Sequence, residues 1–245
     1  MPSIGLEPSE WLLVVVVTLL SALVQGTVGF GSAVLAVPLL SLVDPRLAPV
    51  PQMLSVLPLT VWAALREWSR VDWGGVGWVL LGRVPGLGLG MLLLSLANER
   101  VLDGLIGGLV LLSVMLLWLR PRLTRSALTD CCAGAISGAA GYVSGIGGPP
   151  LALLFRAAAG PTIRASLGVL FAIGLVLTLT ARAVTGHMSV LDLKLALCLV
   201  GPTLAGMWAS RFLHPWLKGA RLEVAVLSVS ACAALGLLGR AAWPW

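Results

Sequence analysis

The chain repeats itself, and both copies carry the same interruption. Gly29 falls on Gly145, Gly31 on Gly147 and Leu35 on Leu151, an offset of 116 residues, and the match continues through Pro45 on Pro161, Arg66 on Arg182 and Gly90-Met91 on Gly206-Met207. In each copy a Gly-x-Gly step breaks an otherwise apolar segment: Gly29-Phe30-Gly31 in the first, Gly145-Ile146-Gly147 in the second. Interrupted hydrophobic segments at corresponding positions of two halves are the best sequence pointer to a transporter's binding site. A duplicated solute carrier is therefore the first reading of this chain.

The environment follows from composition. Hydrophobic residues make up 58%, charged residues only 11%, and the mean hydropathy is +1.01, outside the range of water-soluble domains of this length. Crossing a hydrocarbon core of about 30 Å takes roughly 20 helical residues. Apolar runs of that order fill the sequence at 11–43, 49–65, 74–96, 101–119, 127–159, 163–185, 190–210 and 222–239. No alternating barrel pattern occurs, so the runs read as helices. The fold class expected is an all-α integral membrane protein, one transmembrane domain over residues 1–245, with repeat one at 11–119 and repeat two at 127–239. The start, MPSIGLEPSE, lacks the basic region of a signal peptide, and the first helix is expected to stay in the mature protein.

Segments one and five are each 33 residues, which as straight helices would measure about 50 Å. Each must tilt, break while crossing, or turn back. If both cross, the loop and tail Lys and Arg divide seven against eight; if both turn back at the glycines, they divide ten against five. Only the second arrangement obeys the positive-inside rule. It makes each first segment a re-entrant hairpin, leaves three full crossings per half, inverts the two repeats relative to one another, and puts both termini on the outer, arginine-poor side.

In such a hairpin the restarting helix, at Ser32 or Ala33 in one copy and at Gly148 with Pro149 and Pro150 in the other, points its N-terminus at a common spot. Unpaired N–H groups and the positive end of the helix dipole suit an anion. Gly29, Gly31, Gly145, Gly147 and Gly148 allow close approach to the backbone, while Thr27, Ser32, Tyr142 and Ser144 offer hydroxyls and Gln25 an amide. Arg83 is the one charge well inside a predicted span, and an ionisable residue at membrane depth marks function by default. Gly82, Gly86 and Gly90 beside it imply packing on protein, so Arg83 is expected to face the interior, either binding the anion or hydrogen-bonding broken-helix carbonyls.

The bland readings are equally specific. Glycine-rich transmembrane stretches usually serve helix packing, and Gly104 with Gly108 and Gly134 with Gly138 have that spacing. Cys131, Cys132, Cys198 and Cys232 lie in apolar segments as small hydrophobes. His187 and His214 fall in loops, and the carboxylates Asp44, Glu67, Asp72, Glu99, Asp103, Asp130, Asp192 and Glu223 in loops or first turns, so no buried acid is expected to carry protons. The net charge of +6 sits at helix ends, as membrane anchoring requires, rather than forming a nucleic-acid surface. Trp11, Trp68, Trp73, Trp118, Trp216, Trp243 and Trp245 read as interface anchors. No residue is assigned to a metal, a cofactor or catalysis, since Ser137 and Ser144 have no histidine within a span to activate them.

The doubled motifs GFGSAVLAVPLL and GIGGPPLALLF, the proline beyond each, and the duplication over this length resemble the TauE/SafE sulfite exporter family, also called the toluene sulfonate uptake permease family. The resemblance covers essentially the whole chain. It implies a carrier of sulfite, thiosulfate or organosulfonates in a bacterial or archaeal inner membrane, with Gly29, Gly31, Gly145, Gly147 and Gly148 forming the central site. Ser32 and Ala33 stand where many members have glycine, and Leu154 replaces the proline matched by Pro38. Alternating access around that site is the expected mechanism, with an anion channel or a transporter of another small organic or inorganic anion the alternative. A sodium or proton coupling ion and a homo-oligomer remain open.

Overall fold

The computed structural model describes residues 5–66, 68–121, 123–158, 160–213 and 220–242. Glu67, Arg122, His214, Trp216, Trp243 and Trp245, and the readings attached to them above, lie outside these. The order is α1 (Pro8–Val28), α2 (Ser32–Val43), α3 (Val50–Arg66), α4 (Trp73–Ser95), α5 (Glu99–Leu119), α6 (Ala127–Ser144), α7 (Gly148–Leu154), α8 (Gly160–Val184), α9 (Val190–Leu213) and α10 (Ala220–Ala242). Among the described residues the fold is all helical, and seven of the helices are long and apolar enough to cross a membrane. The six shorter apolar runs each form one helix.

The two 33-residue runs do not. The first splits into α1 and α2 at Gly29–Gly31, and the second into α6 and α7 at Gly145–Gly147. Local chemistry explains the breaks. Gly29, Gly31 and Gly145 adopt left-handed backbone, with φ of 91°, 101° and 75°, which a side chain would strain. After the second break, Pro149 and Pro150 occupy the first turn of α7, where proline is tolerated because no intrahelical donor is lost. That helix is only seven residues long, so the run read as 127–159 ends early and α8 begins at Gly160 instead of 163.

Elements 116 residues apart make matching contacts. α1 packs on α9 and α6 on α4; α2 packs on α10 and α7 on α5; α3 packs on α9 and α8 on α4; α3 also pairs with α8, and α5 with α10. Each copy's first helix is thus embraced by the other copy. The α4–α6 contact is backbone to backbone: a Cβ at Gly82 would lie 1.9 Å from the Cys131 carbonyl, one at Gly86 2.1 Å from that of Ala135, and one at Gly134 2.0 Å from that of Val79. Glycine spacing misleads on α5, where Gly108 faces open space and Gly107 instead meets the Ala234 carbonyl of α10.

At one end of the bundle Arg156, just past α7, donates through Nη1 to the Arg120 carbonyl at 3.0 Å, and Arg125 lies 4.4 Å over the Phe155 ring. The start of α6 and the end of α7 therefore meet at the same end. Arg125 also pairs with Asp72 and Asp130 at 2.6 and 2.7 Å, and its hydrogen bond holds the Asp72 carboxyl below the usual carboxylate range. The expectation of no buried acid is corrected here, because Asp130 and Asp44 are 3% and 7% exposed. Both remain ion-paired, Asp44 with Arg46, as burial of a charge requires. Trp11, near the start of α1, is half-buried against the core cluster built on Val37, Leu40 and Leu47.

Candidate functional site

The two breaks meet at one partly open cavity of about 70 Å³, room for a few waters or one small polyatomic ion. The start of α2 supplies Gly31, Ser32, Ala33 and Val34, and the second break supplies Gly145, Ile146, Gly147, Gly148 and Pro149. These two helix starts differ from those of α4, α5 and α6. α4, α5 and α6 are each capped by a side chain, Asp72, Asn98 and Ser126 respectively, whereas α2 and α7 begin on glycines with no side-chain cap. A buried helix start with free N–H groups lacks partners that must come from elsewhere. The two starts are not equivalent donors. α2 presents the N–H groups of Ser32, Ala33 and Val34, but Pro149 and Pro150 have none, which leaves Gly148 alone in the first turn of α7.

Arg83 reaches the cavity from α4 and is 4% exposed. Its Nη1 donates to Ser137 Oγ at 2.9 Å, and Ser137 Oγ donates in turn to the Gly147 carbonyl at 2.7 Å, tying the guanidinium to the second break. Small residues make room for it: a Cβ on Gly174 would sit 2.5 Å from Arg83 Cζ, and one on Gly141 3.1 Å from Nη2. Its Nε has no partner. Arg83 is the only charged side chain among the described residues lining the cavity.

Of the residues singled out in the sequence, Gln25, Gly31, Ser32, Arg83, Gly145, Gly147 and Gly148 line this cavity, and Thr27, Gly29, Tyr142 and Ser144 do not. The missing hydroxyls are engaged elsewhere. Thr27 donates back to Leu23 and Val24, Ser144 to Ala140, and Tyr142 pairs with Thr185 at 2.7 Å, beside His187. Ser32 donates to the Gln25 amide oxygen across the first break. Sequence reading missed Gln52 and Thr60 on α3 and Phe171 and Thr178 on α8. A polar residue inside an apolar run was the available signal for three of them; nothing marked Phe171.

Arg182, within the 163–185 run but counted with the loop charges, is 4% exposed in α8. Its guanidinium donates to the Tyr142 and Val143 carbonyls and lies 5.1 Å over the Tyr142 ring. It thereby satisfies the carbonyl end of α6 just before the break, a cationic C-cap.

With this geometry in view, comparison with known proteins is decisive at one level. The family model described as sulfite exporter TauE/SafE matches residues 14–237. The chain belongs to that family. It is a multi-pass membrane protein of a transporter family, and both breaks, Arg83 and Arg182 fall inside the matched residues. Neither the curated proteins nor the solved structures gave a match.

Proposed function

We propose that this TauE/SafE chain exports a small sulfur-containing anion, such as sulfite, thiosulfate or an organosulfonate, by alternating access around the cavity between the two breaks. The observation that carries the reading is the pairing of one buried arginine with an uncapped start of α2 on a cavity that no carboxylate among the described residues lines. Such a site is electropositive and repels cations. Export of an anion gains about 2.3 kcal/mol per charge per 100 mV, inside negative, so a coupling ion is not required on energetic grounds.

The same reading makes α1–α2 and α6–α7 re-entrant hairpins, each half a three-crossing unit inverted relative to the other. Contact between Arg156 and Arg120 supports it, since a crossing α6–α7 would put those residues on opposite sides of the bilayer. The matched contacts of α1 with α9 and α6 with α4 fit two interlocked copies that exchange roles between outward- and inward-facing states. On the positive-inside count, the Arg120–Arg156 end faces the cytoplasm of a bacterial or archaeal inner membrane, and both termini face out.

The test is flux of radiolabelled sulfite into proteoliposomes at a clamped potential, with and without sodium. Saturable flux that Arg83→Gln abolishes is expected. A non-saturating conductance would favour an anion channel, and selective uptake of a cation or neutral solute would overturn the anion reading.

A further inference from the structure

Resting on the reading that this cavity holds the transported anion, its donor set specifies more than the sign of the charge. Hydroxyls in these helices normally bond back to their own backbone: Thr18 to Val14, Ser21 to Val17, Ser113 to Leu109 and Thr203 to Leu199. Thr178 does not. It is 1% exposed, lines the cavity, and its hydroxyl has no partner. Ser41 and Ser230 share that state but are not among the cavity residues. Across the cavity on α3, the side-chain amide of Gln52, 3% exposed, also belongs to the lining. A buried polar group left unpaired costs about 1–3 kcal/mol, so such groups are expected to meet a ligand.

We infer that the site takes its substrate as a singly charged oxyanion, with Thr178 and Gln52 as the neutral donors that fix it beside Arg83. Charge matching carries the argument. Arg83 is one positive charge, and Arg182, the other arginine buried among the described residues, is spent on the Tyr142 and Val143 carbonyls. Beyond the partial positive charge at the start of α2, the wall includes Phe30, Met53, Phe171 and Leu175, which cannot stabilise a second full negative charge. A monoanion leaves the filled site neutral; a dianion leaves one uncompensated charge in apolar surroundings, where desolvation is severe. Hydrogen sulfite and alkanesulfonates qualify, whereas fully deprotonated sulfite, sulfate and thiosulfate do not. Sulfite, whose last proton titrates near neutral pH, therefore binds in its protonated form.

The experiment is thermal stabilisation of the detergent-purified protein by methanesulfonate, sulfate and sulfite across pH 6 to 9. Methanesulfonate, a monoanion throughout, stabilises independently of pH, and sulfate does not stabilise. The apparent affinity for total sulfite falls by about tenfold per pH unit once the protonated form is the minor species. Thr178→Val and Gln52→Leu each weaken methanesulfonate binding by about tenfold. Gln52→Lys, which adds a second cation, lets sulfate bind. Sulfate stabilising the wild-type protein as well as methanesulfonate does would overturn this inference and leave the anion-carrier reading intact. Failure of all three sulfur anions would remove both.

Discussion

Among the described residues two arginines are buried, and their partners assign them opposite kinds of work. Arg182 makes three hydrogen bonds to two carbonyls at the end of α6, while Arg83 makes one, to Ser137, and keeps Nε unpaired. Removing Arg182 orphans carbonyls in a buried helix end, so Arg182→Met should lose about 1–3 kcal/mol of stability. Removing Arg83 relieves the desolvation of a cation that has no counter-ion until ligand arrives, and sites kept for function are often strained in this way. Arg83→Met is therefore expected to leave the ligand-free melting temperature unchanged or raised while abolishing stabilisation by sulfur anions. Thermal unfolding with and without methanesulfonate checks both. A large stability loss for Arg83→Met would make Arg83 a structural arginine, the alternative that its intramembrane position left open.

At the scale of elements, glycine has two meanings here that spacing alone does not separate. Gly86→Leu drives a side chain into the Ala135 carbonyl of α6 and is expected to cost more than about 4 kcal/mol, whereas Gly108→Leu enters open space and should change stability by under about 0.5 kcal/mol. Paired melting curves in one detergent decide it. This is also where the sequence reached its limit. The shorter helices were legible because each apolar run is a local signal, and the two breaks because Gly29, Gly31 and Gly145 require left-handed backbone. The tightness of Gly107 against α10 and the openness of Gly108 depend on which face meets a neighbour. Likewise Gln25, Ser32 and Arg83 could be named from their own segments, but Gln52 and Thr178 acquire meaning only when α3 and α8 close the cavity. Thr27, Tyr142 and Ser144 looked equally able to bind, and their hydroxyls were claimed by their own helices or by Thr185.

For the whole molecule, everything proposed about mechanism depends on which side of the membrane each end of a broken segment occupies. The termini do not discriminate, because three crossings per half and four per half both return the chain to its starting side. The loops do. If α6–α7 is re-entrant, residues before α6 and after α7 share a side; if it crosses, they are opposed. In a background with Cys131, Cys132, Cys198 and Cys232 replaced by serine, single cysteines at Thr124, Ala157 and Ser9 can be labelled with a membrane-impermeant maleimide in vesicles of known orientation. All three positions are exposed. Thr124→Cys and Ala157→Cys are expected to react from the cytoplasmic side alone and Ser9→Cys from the outside alone, as the 3.0 Å contact between Arg156 and Arg120 and the ten-to-five arginine and lysine bias imply. Reaction of Thr124→Cys and Ala157→Cys from opposite sides would make α6–α7 a crossing segment, and reaction of Ser9→Cys and Thr124→Cys from the same side would do the same for α1–α2. The repeats would then run parallel rather than inverted, and exchange of roles between the halves would no longer supply the alternation.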